Sequence, residues 1–220
     1  LLSVFRALVF ANGDLDDGPA VQDALTHAPD SLIIAADGGA RVAQDCGLVP
    51  HLVIGDLDSL TLDEIDHLRA QDVTIHQHPA HKDETDLELA LLHAISQRIT
   101  WIRILGAAGG RLDQMLANVY LLALHDLAGC DVRLVAGRQT LWLVGPGLHV
   151  IEGAPGDTIS LLPWGGDAGP VRTGNLEYPL TDETLIMGPA RGVSNVMLGT
   201  HAEVSLGAGM LLVVHTVGRA

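Results

Sequence analysis

Up to about residue 137 the chain repeats one pattern: a short apolar run, a loop rich in Asp or Gly, then apolar residues at helical spacing. Runs at 7–11 (ALVFA), 32–36 (LIIAA), 52–54, 73–77, 102–105 and 132–135 read as strands. A helix beginning at Pro19 carries Val21, Ala24 and Leu25, and a shorter one follows from Ala40 to a stop at Gly47. Thr61 with Glu64, and Thr85 with Glu88, match capping boxes. They open helices with Leu62, Ile65 and Leu68, and with Leu87, Leu91, Ala94 and Ile95, on their apolar faces. A last helix is expected to bury Leu112, Met115, Leu116, Val119 and Ala123 and to end at Gly129.

Strand–helix alternation requires a parallel sheet covered on both faces. The expected fold class is therefore α/β, with an N-terminal Rossmann-like parallel-sheet domain over residues 1–136. Loops that follow strands in such a sheet share one edge, and ligands bind at that edge. From residue 137 to 220 helical spacing vanishes. Short β-like runs at 141–144, 149–151, 158–162, 185–187, 204–206 and 211–215 alternate with Gly and Pro. This half reads as a small antiparallel sandwich or barrel domain.

A formal net charge of −15 argues against a general nucleic-acid binder, which would present basic patches. Cys46 and Cys130 match no metal or redox spacing, and two widely spaced cysteines fit a reducing cytoplasm. No apolar run reaches the length of a membrane span. The opening residues Leu1-Leu2-Ser3-Val4-Phe5-Arg6 are broken by Arg6 and lead to no cleavage site, so no signal peptide is expected. The missing initiator Met reads as a start slightly inside the gene product.

Two acidic stretches stand at the ligand edge: Gly55-Asp56-Leu57-Asp58-Ser59, and Lys82-Asp83-Glu84-Thr85-Asp86-Leu87-Glu88. Carboxylates crowded together repel, and Mg²⁺ is the usual counter-charge where oxygen ligands meet phosphates. Asp56 and Asp58 share a face if their loop continues the strand, although Asp and Ser are also common in plain turns. Capping accounts for Thr85 and Glu88 but not for Lys82 and Asp83 just before them, and Lys82 is suited to a phosphate contact. The turn from Gly106 to Arg111 runs into a helix N-terminus, where free backbone N–H groups, as at Gly109 and Gly110, suit an anion and Arg111 would add a charged fork, although close packing also demands Gly. It matches neither a P-loop nor a dinucleotide fingerprint. His76, His78 and His81 lack a fourth zinc ligand, and Gly192-Val193-Ser194 lacks the second Gly of a nucleophile elbow. Trp101, Trp142 and Trp164 read as packing residues.

With these residues in place the chain resembles the thiamine pyrophosphokinase family. The matching motifs are Ala36-Asp37-Gly38-Gly39-Ala40, the two acidic stretches, Gly109-Gly110-Arg111-Leu112-Asp113-Gln114, Leu176-Glu177-Tyr178-Pro179-Leu180 and Gly192-Val193-Ser194-Asn195, in the family's order. The tract Thr173-Gly174-Asn175-Leu176 departs from the family's usual Gly before Leu, and Val196-Met197 stands where bacterial members often carry an acid.

The resemblance implies a catalytic α/β domain followed by a C-terminal antiparallel β-sandwich domain that binds thiamine, in a cytoplasmic homodimer. It implies pyrophosphate transfer from ATP to the thiamine hydroxyl, giving thiamine diphosphate and AMP. It places the catalytic, metal-binding acids at Asp56, Asp58 and Asp86, with Mg²⁺ as cofactor. It assigns Asp37, Gly38, Lys82, Asp83, Gly109, Gly110, Arg111 and Asp113 to the nucleotide, and Tyr178, Ser194 and Asn195 to thiamine. Rival readings are the same transfer to a hydroxymethylpterin, a non-catalytic nucleotide or thiamine sensor, and a metal-dependent phosphatase.

Overall fold

The fold is described from a computed structural model over residues 5–219. Residues 1–4, part of the stretch read as carrying no signal peptide, lie outside the described residues. The chain divides into two compact units between Gly137 and Arg138.

In the first unit, β1 (Arg6–Phe10), β2 (Leu32–Ala36), β3 (Leu52–Gly55), β4 (Thr74–Gln77), β5 (Trp101–Leu105) and β6 (Asp131–Ala136) form parallel strands in the order β4-β3-β2-β1-β5-β6. The helices are α1 (Pro19–Leu25), α2 (Gly39–Asp45), α3 (Leu62–Ala70), α4 (Asp86–Ser96) and α5 (Leu112–Tyr120). The strand order reverses between β1 and β5, and such a reversal opens a crevice beyond the carboxyl ends of the strands. The two loops at the crevice stay paired past the strands, with the Gly13 N–H donating to the Gly106 carbonyl at 2.8 Å. A Cβ on Gly13 would sit 2.5 Å from that carbonyl oxygen, which is why the turn takes glycine.

Alternating strand residues feed both faces. Leu8, Phe10, Ile33 and Leu105 pack with Val21, Ala24, Val42 and Ala43 of α1 and α2. Ala35 and Val53 pack with Ile65 and Leu68 of α3 and with Leu57 and Leu60 of the loop before it. Each fully buried Leu, Ile, Val or Phe among them contributes about 1.5–3 kcal/mol.

Three helical expectations are corrected. Leu62 is 80% exposed, because it is the first residue after the Thr61 cap and faces outward, while Ile65 and Leu68 are buried. Thr85 caps α4 by accepting from the Glu88 N–H, but the reciprocal bond of a capping box forms only at Thr61 and Glu64. α5 stops at Tyr120 and gives way to 3₁₀ turns at Leu121–Ala123 and His125–Leu127. Leu121, Leu122 and Leu127 are buried in these turns, whereas Leu112 and Leu116 on α5 are exposed at 71% and 54% because no element of the described residues covers them, and Ala123 is exposed as well. Gly129 therefore follows the turns rather than ending the helix.

The second unit is a two-layer β structure. β7 (Gln139–Val144), β9 (Thr158–Pro163), β12 (Asn195–Val196) and β14 (Leu211–Thr216) form one antiparallel layer in the order β12-β9-β14-β7. β8 (Gly147–Glu152), β10 (Ala168–Gly174), β11 (Glu183–Leu185) and β13 (His201–Leu206) form the other in the order β11-β10-β13-β8. Ile159, Leu161, Leu211 and Val213 of one layer meet Ile151, Val171, Ala202 and Val204 of the other in a single core. β10 escapes sequence reading because its Ala-Gly-Pro-Val-Arg-Thr-Gly run carries the signature of a turn. It is a strand because β11 and β13 pair with it on both sides. Among the described residues no helix is long and apolar enough to cross a membrane.

Candidate active site

At the carboxyl edge of the parallel sheet a cavity of about 620 Å³ is walled by the loops after β1, β2, β3 and β5 and by the starts of α4 and α5. The loop after β2 brings Asp37. The loop after β3 brings Asp56 and Asp58. Ligand oxygens of these three carboxylates lie within 4.8 Å of one another. Two of the acidic segments adopt unusual backbone: Asp37 has φ 47 and Leu57, between Asp56 and Asp58, has φ 67. Left-handed backbone at non-glycine residues persists only where the surroundings over-determine it. Here Leu57 is buried in the core beside Leu60 and Ile65, and the Asp37 N–H donates to the Ile54 carbonyl at 2.9 Å.

Asp37 is buried, and its Oδ1 has no hydrogen-bond partner among the described residues. Burial raises its pKa, against the lowering effect of the Ser59 hydroxyl and the Gly38 N–H, and Asp86 and Asp58 add to the rise. Gly55 sits between Asp37 and Asp86: a Cβ there would lie 2.9 Å from Asp86 Cγ and 3.1 Å from Asp37 Cβ. Lys82 supplies positive charge, its Nζ lying 2.9 Å from Asp86 Oδ1 and 3.8 Å from Asp56 Oδ2. Partial burial pulls the Lys82 pKa down, but Asp86, Asp56 and Asp37 outweigh it and leave it raised.

Across the cavity Gly109, Gly110 and Arg111 form the turn before α5. Arg111 is exposed and makes a two-bond fork to Asp113, at 3.1 and 2.6 Å. That fork raises the Arg111 pKa and lowers that of Asp113. Asp56, Asp58, Asp86, Asp37, Lys82, Gly109, Gly110 and Arg111 thus line one cavity, whereas Gly38, Asp83 and Asp113 do not. Gly38 packs against the Asn12 side chain, and Asp83 is exposed.

Asn12, Asp14, Ser59, Gln114 and Asn118 also line the cavity, and the sequence assigned none of them a role, although Ser59 and Gln114 fall within its motifs. Asn12 donates to Ser59 Oγ at 3.1 Å, and Asn118 donates to the Ala107 carbonyl at 2.9 Å. The signal was present for Asn12 and Asp14, which follow the first strand on the same edge as the acidic loops.

The remaining candidates lie in the second unit. Tyr178 is 55% exposed, and Ser194 is exposed with φ 59, its N–H donating to Ser160 Oγ at 3.1 Å. Asn195 is buried, and its amide is bound to the backbone of Tyr178.

Crowded carboxylates, of which Asp37 is buried with an unsatisfied oxygen while Asp58 is exposed, are the donor chemistry of a hard divalent cation. A facing turn of free N–H groups with an arginine takes polyphosphate oxygens.

A family model described as the thiamin pyrophosphokinase catalytic domain matches residues 24–133, and one described as the vitamin B1 binding domain of the same enzymes matches residues 148–211. A thiamine pyrophosphokinase of Bacillus subtilis is 29% identical over 187 residues, 84% of this chain and 87% of that protein. The crystal structure of the thiamine pyrophosphokinase from Bacillus subtilis superposes with a TM-score of 0.85 at 27% identity, over 96% of this chain and 99% of the other. A thiamin pyrophosphokinase family protein from Enterococcus faecalis gives the same TM-score of 0.85 and 27% identity, over 96% and 98% of the two chains.

Proposed function

The chain belongs to the thiamin pyrophosphokinase family, and from that membership we propose how its own residues carry out the reaction. The enzyme is a diphosphotransferase that moves the pyrophosphate of ATP to the hydroxyl of thiamine. The observation that carries the residue assignment is one cavity in which Asp37, Asp56 and Asp58, their ligand oxygens within 4.8 Å of one another, share the lining with Asp86 and with a glycine–arginine turn.

Asp56, Asp58 and Asp86 are the proposed Mg²⁺ ligands, and Asp37 adds a fourth carboxylate whose buried Oδ1 needs a partner. When bound there, Mg²⁺ neutralises charge on the triphosphate oxygens. Lys82 tempers the repulsion among the acids and offers a point charge to phosphate. The Gly109 and Gly110 N–H groups and Arg111 hold the triphosphate from the other side, Arg111 exchanging Asp113 for phosphate oxygens. The thiamine oxygen then forms a bond to the β-phosphorus as the α–β bridging bond breaks. AMP leaves with the α-phosphate, and the hydroxyl proton passes to a carboxylate of the cluster. Such a transfer depends on positioning and charge more than on covalent chemistry.

In the second unit Tyr178 supplies a ring face for the pyrimidine and for the cationic thiazolium. Asn195 holds that residue in place from beneath, and Ser194 offers its hydroxyl. The net charge of −15 favours a cationic acceptor. The chain acts as a homodimer in which the acceptor pocket is shared between copies, and the exposed Leu112 and Leu116 on α5 support an apolar contact with a second copy. Free Cys46 and Cys130 suit a reducing cytoplasm.

The deciding experiment is AMP release from Mg·ATP with and without thiamine. Thiamine-dependent AMP, matched by equal thiamine diphosphate and abolished by a chelator, is the expected result. Absence of AMP in protein that binds Mg·ATP would overturn the acceptor assignment.

A further inference from the structure

We infer that Arg41 is a positioning residue that sets the separation of Asp37 from Asp56 and Asp58, and so the affinity of the site for a divalent cation. This rests on the metal site proposed above.

Arg41 stands on the first turn of α2, the helix whose entry carries Asp37. Its Nη2 donates to the Ser59 carbonyl at 2.6 Å. Its Nε and Nη2 also grip both carboxylate oxygens of Glu64, the latter at 2.8 Å from Oε2. Glu64 is in turn fixed by Thr61, whose N–H and Oγ donate to Oε2 at 2.7 and 2.8 Å. Thr61 Oγ accepts the Glu64 N–H at 3.3 Å and completes the cap of α3. The guanidinium therefore joins three pieces: the helix behind Asp37, the last peptide of the loop bearing Asp56 and Asp58, and the first turn of α3.

Ser59 is the working end of this strut. Its hydroxyl accepts from Asn12 at 3.1 Å and donates to Asp58 Oδ1 at 3.3 Å. It also lowers the Asp37 pKa. Removing the Arg41 fork frees the Ser59 carbonyl and with it a loop whose Leu57 holds a left-handed φ of 67. Such a loop relaxes unless the surroundings hold it. The carboxylates repel one another, so relaxation moves them apart. Lysine does not reproduce the effect, because one ammonium cannot serve a carbonyl and both oxygens of a carboxylate in fixed geometry. The Arg41–Glu64 pair is half exposed, so its role lies in geometry rather than in stability.

The test is Mn²⁺ binding to nucleotide-free protein, followed by electron paramagnetic resonance, for wild type, Asp56→Asn, Arg41→Ala and Arg41→Lys. Thermal melts and separate KM values for Mg²⁺ and thiamine accompany it. Loss of a group that orients metal ligands weakens binding by roughly tenfold or more. The expected result is that loss in Arg41→Ala, a smaller loss in Arg41→Lys, a matching rise in the Mg²⁺ requirement, and an unchanged KM for thiamine. Wild-type Mn²⁺ affinity in a folded Arg41→Lys or Arg41→Ala overturns the inference, whether or not the melting temperature falls. Wild-type protein whose Mn²⁺ binding is absent, or indifferent to Asp56→Asn, overturns the metal site itself, and the inference falls with it. Should Arg41→Ala not fold, Arg41→Lys decides alone.

Discussion

Asn195 holds Tyr178 by both of its backbone polar groups. The Asn195 Oδ1 accepts the Tyr178 N–H at 2.9 Å, and its Nδ2 donates to the Tyr178 carbonyl at 2.6 Å. The same Oδ1 also accepts the Val196 N–H at 3.0 Å. A buried asparagine used in this way fixes where the exposed ring stands without needing to touch a ligand. Asn195→Ala leaves these groups unpaired, at about 1–3 kcal/mol for a buried polar group. The KM for thiamine is expected to rise severalfold while kcat falls less and the KM for ATP holds. Equal losses in both KM values would refute this role.

Asp86 lies against Gly55 and pairs with Lys82, so its charge serves the cavity and also the ammonium beside it. Asp86→Asn preserves shape and removes that charge. Turnover is expected to disappear while the circular dichroism spectrum and melting behaviour stay close to wild type. A folded variant with full AMP release would remove Asp86 from the mechanism.

Asp157 organises the end of the second unit. It accepts the Gly218 N–H at 2.7 Å, the Ala154 N–H at 2.9 Å and His215 Nε2 at 2.7 Å. Burial pushes its pKa up, but the Gly218 N–H, His215 and the Ala154 N–H outweigh it and leave the pKa below the usual carboxylate value. A carboxylate with a depressed folded pKa contributes its full stabilisation above its unfolded value, about 4, and loses it as pH falls through the folded one. Wild-type melting temperature should therefore drop on acidification below about pH 4. Asp157→Asn, unable to accept from all three donors, should melt lower at neutral pH and show a flatter acid limb. Parallel acid limbs would rule Asp157 out as the source.

Leu116 is 54% exposed on the outer face of α5, while Asn118 on the same helix lines the cavity. A charge placed at Leu116 would oppose burial against a second copy. On the homodimer proposed above, Leu116→Asp is expected to shift the sedimentation profile from dimer towards monomer at micromolar concentration. A dimer unchanged by that substitution would place its interface elsewhere.

The sequence by itself determined the elements whose causes are local. Thr61 and Thr85 start helices because each side chain accepts a backbone N–H three residues on, which requires nothing distant. Five of the six parallel strands follow from apolar runs of the right length, β4 (Thr-Ile-His-Gln) being the polar exception, and the acidic and glycine loops follow the strands. Motif order was sufficient to place Asp56, Asp58, Asp86, Lys82 and Arg111 at one edge.

Tertiary structure alone decided which of these groups meet. Asp37 joins Asp56 and Asp58 because β2 and β3 are neighbours in register, with Ala36 opposite Ile54, a pairing between segments far apart in sequence. Arg41 reaches Ser59 and Glu64 for the same reason. Helical spacing at Leu112 and Leu116 specified a shared face of α5 but not what would cover it. Periodicity reports the phase of a helix, whereas burial depends on the elements packed against it. β10, built from glycine, proline and arginine, is a strand only because its neighbours supply hydrogen bonds on both edges. Local hydrogen bonding and periodicity can be read along a chain, whereas adjacency between strands is created only when the sheet assembles.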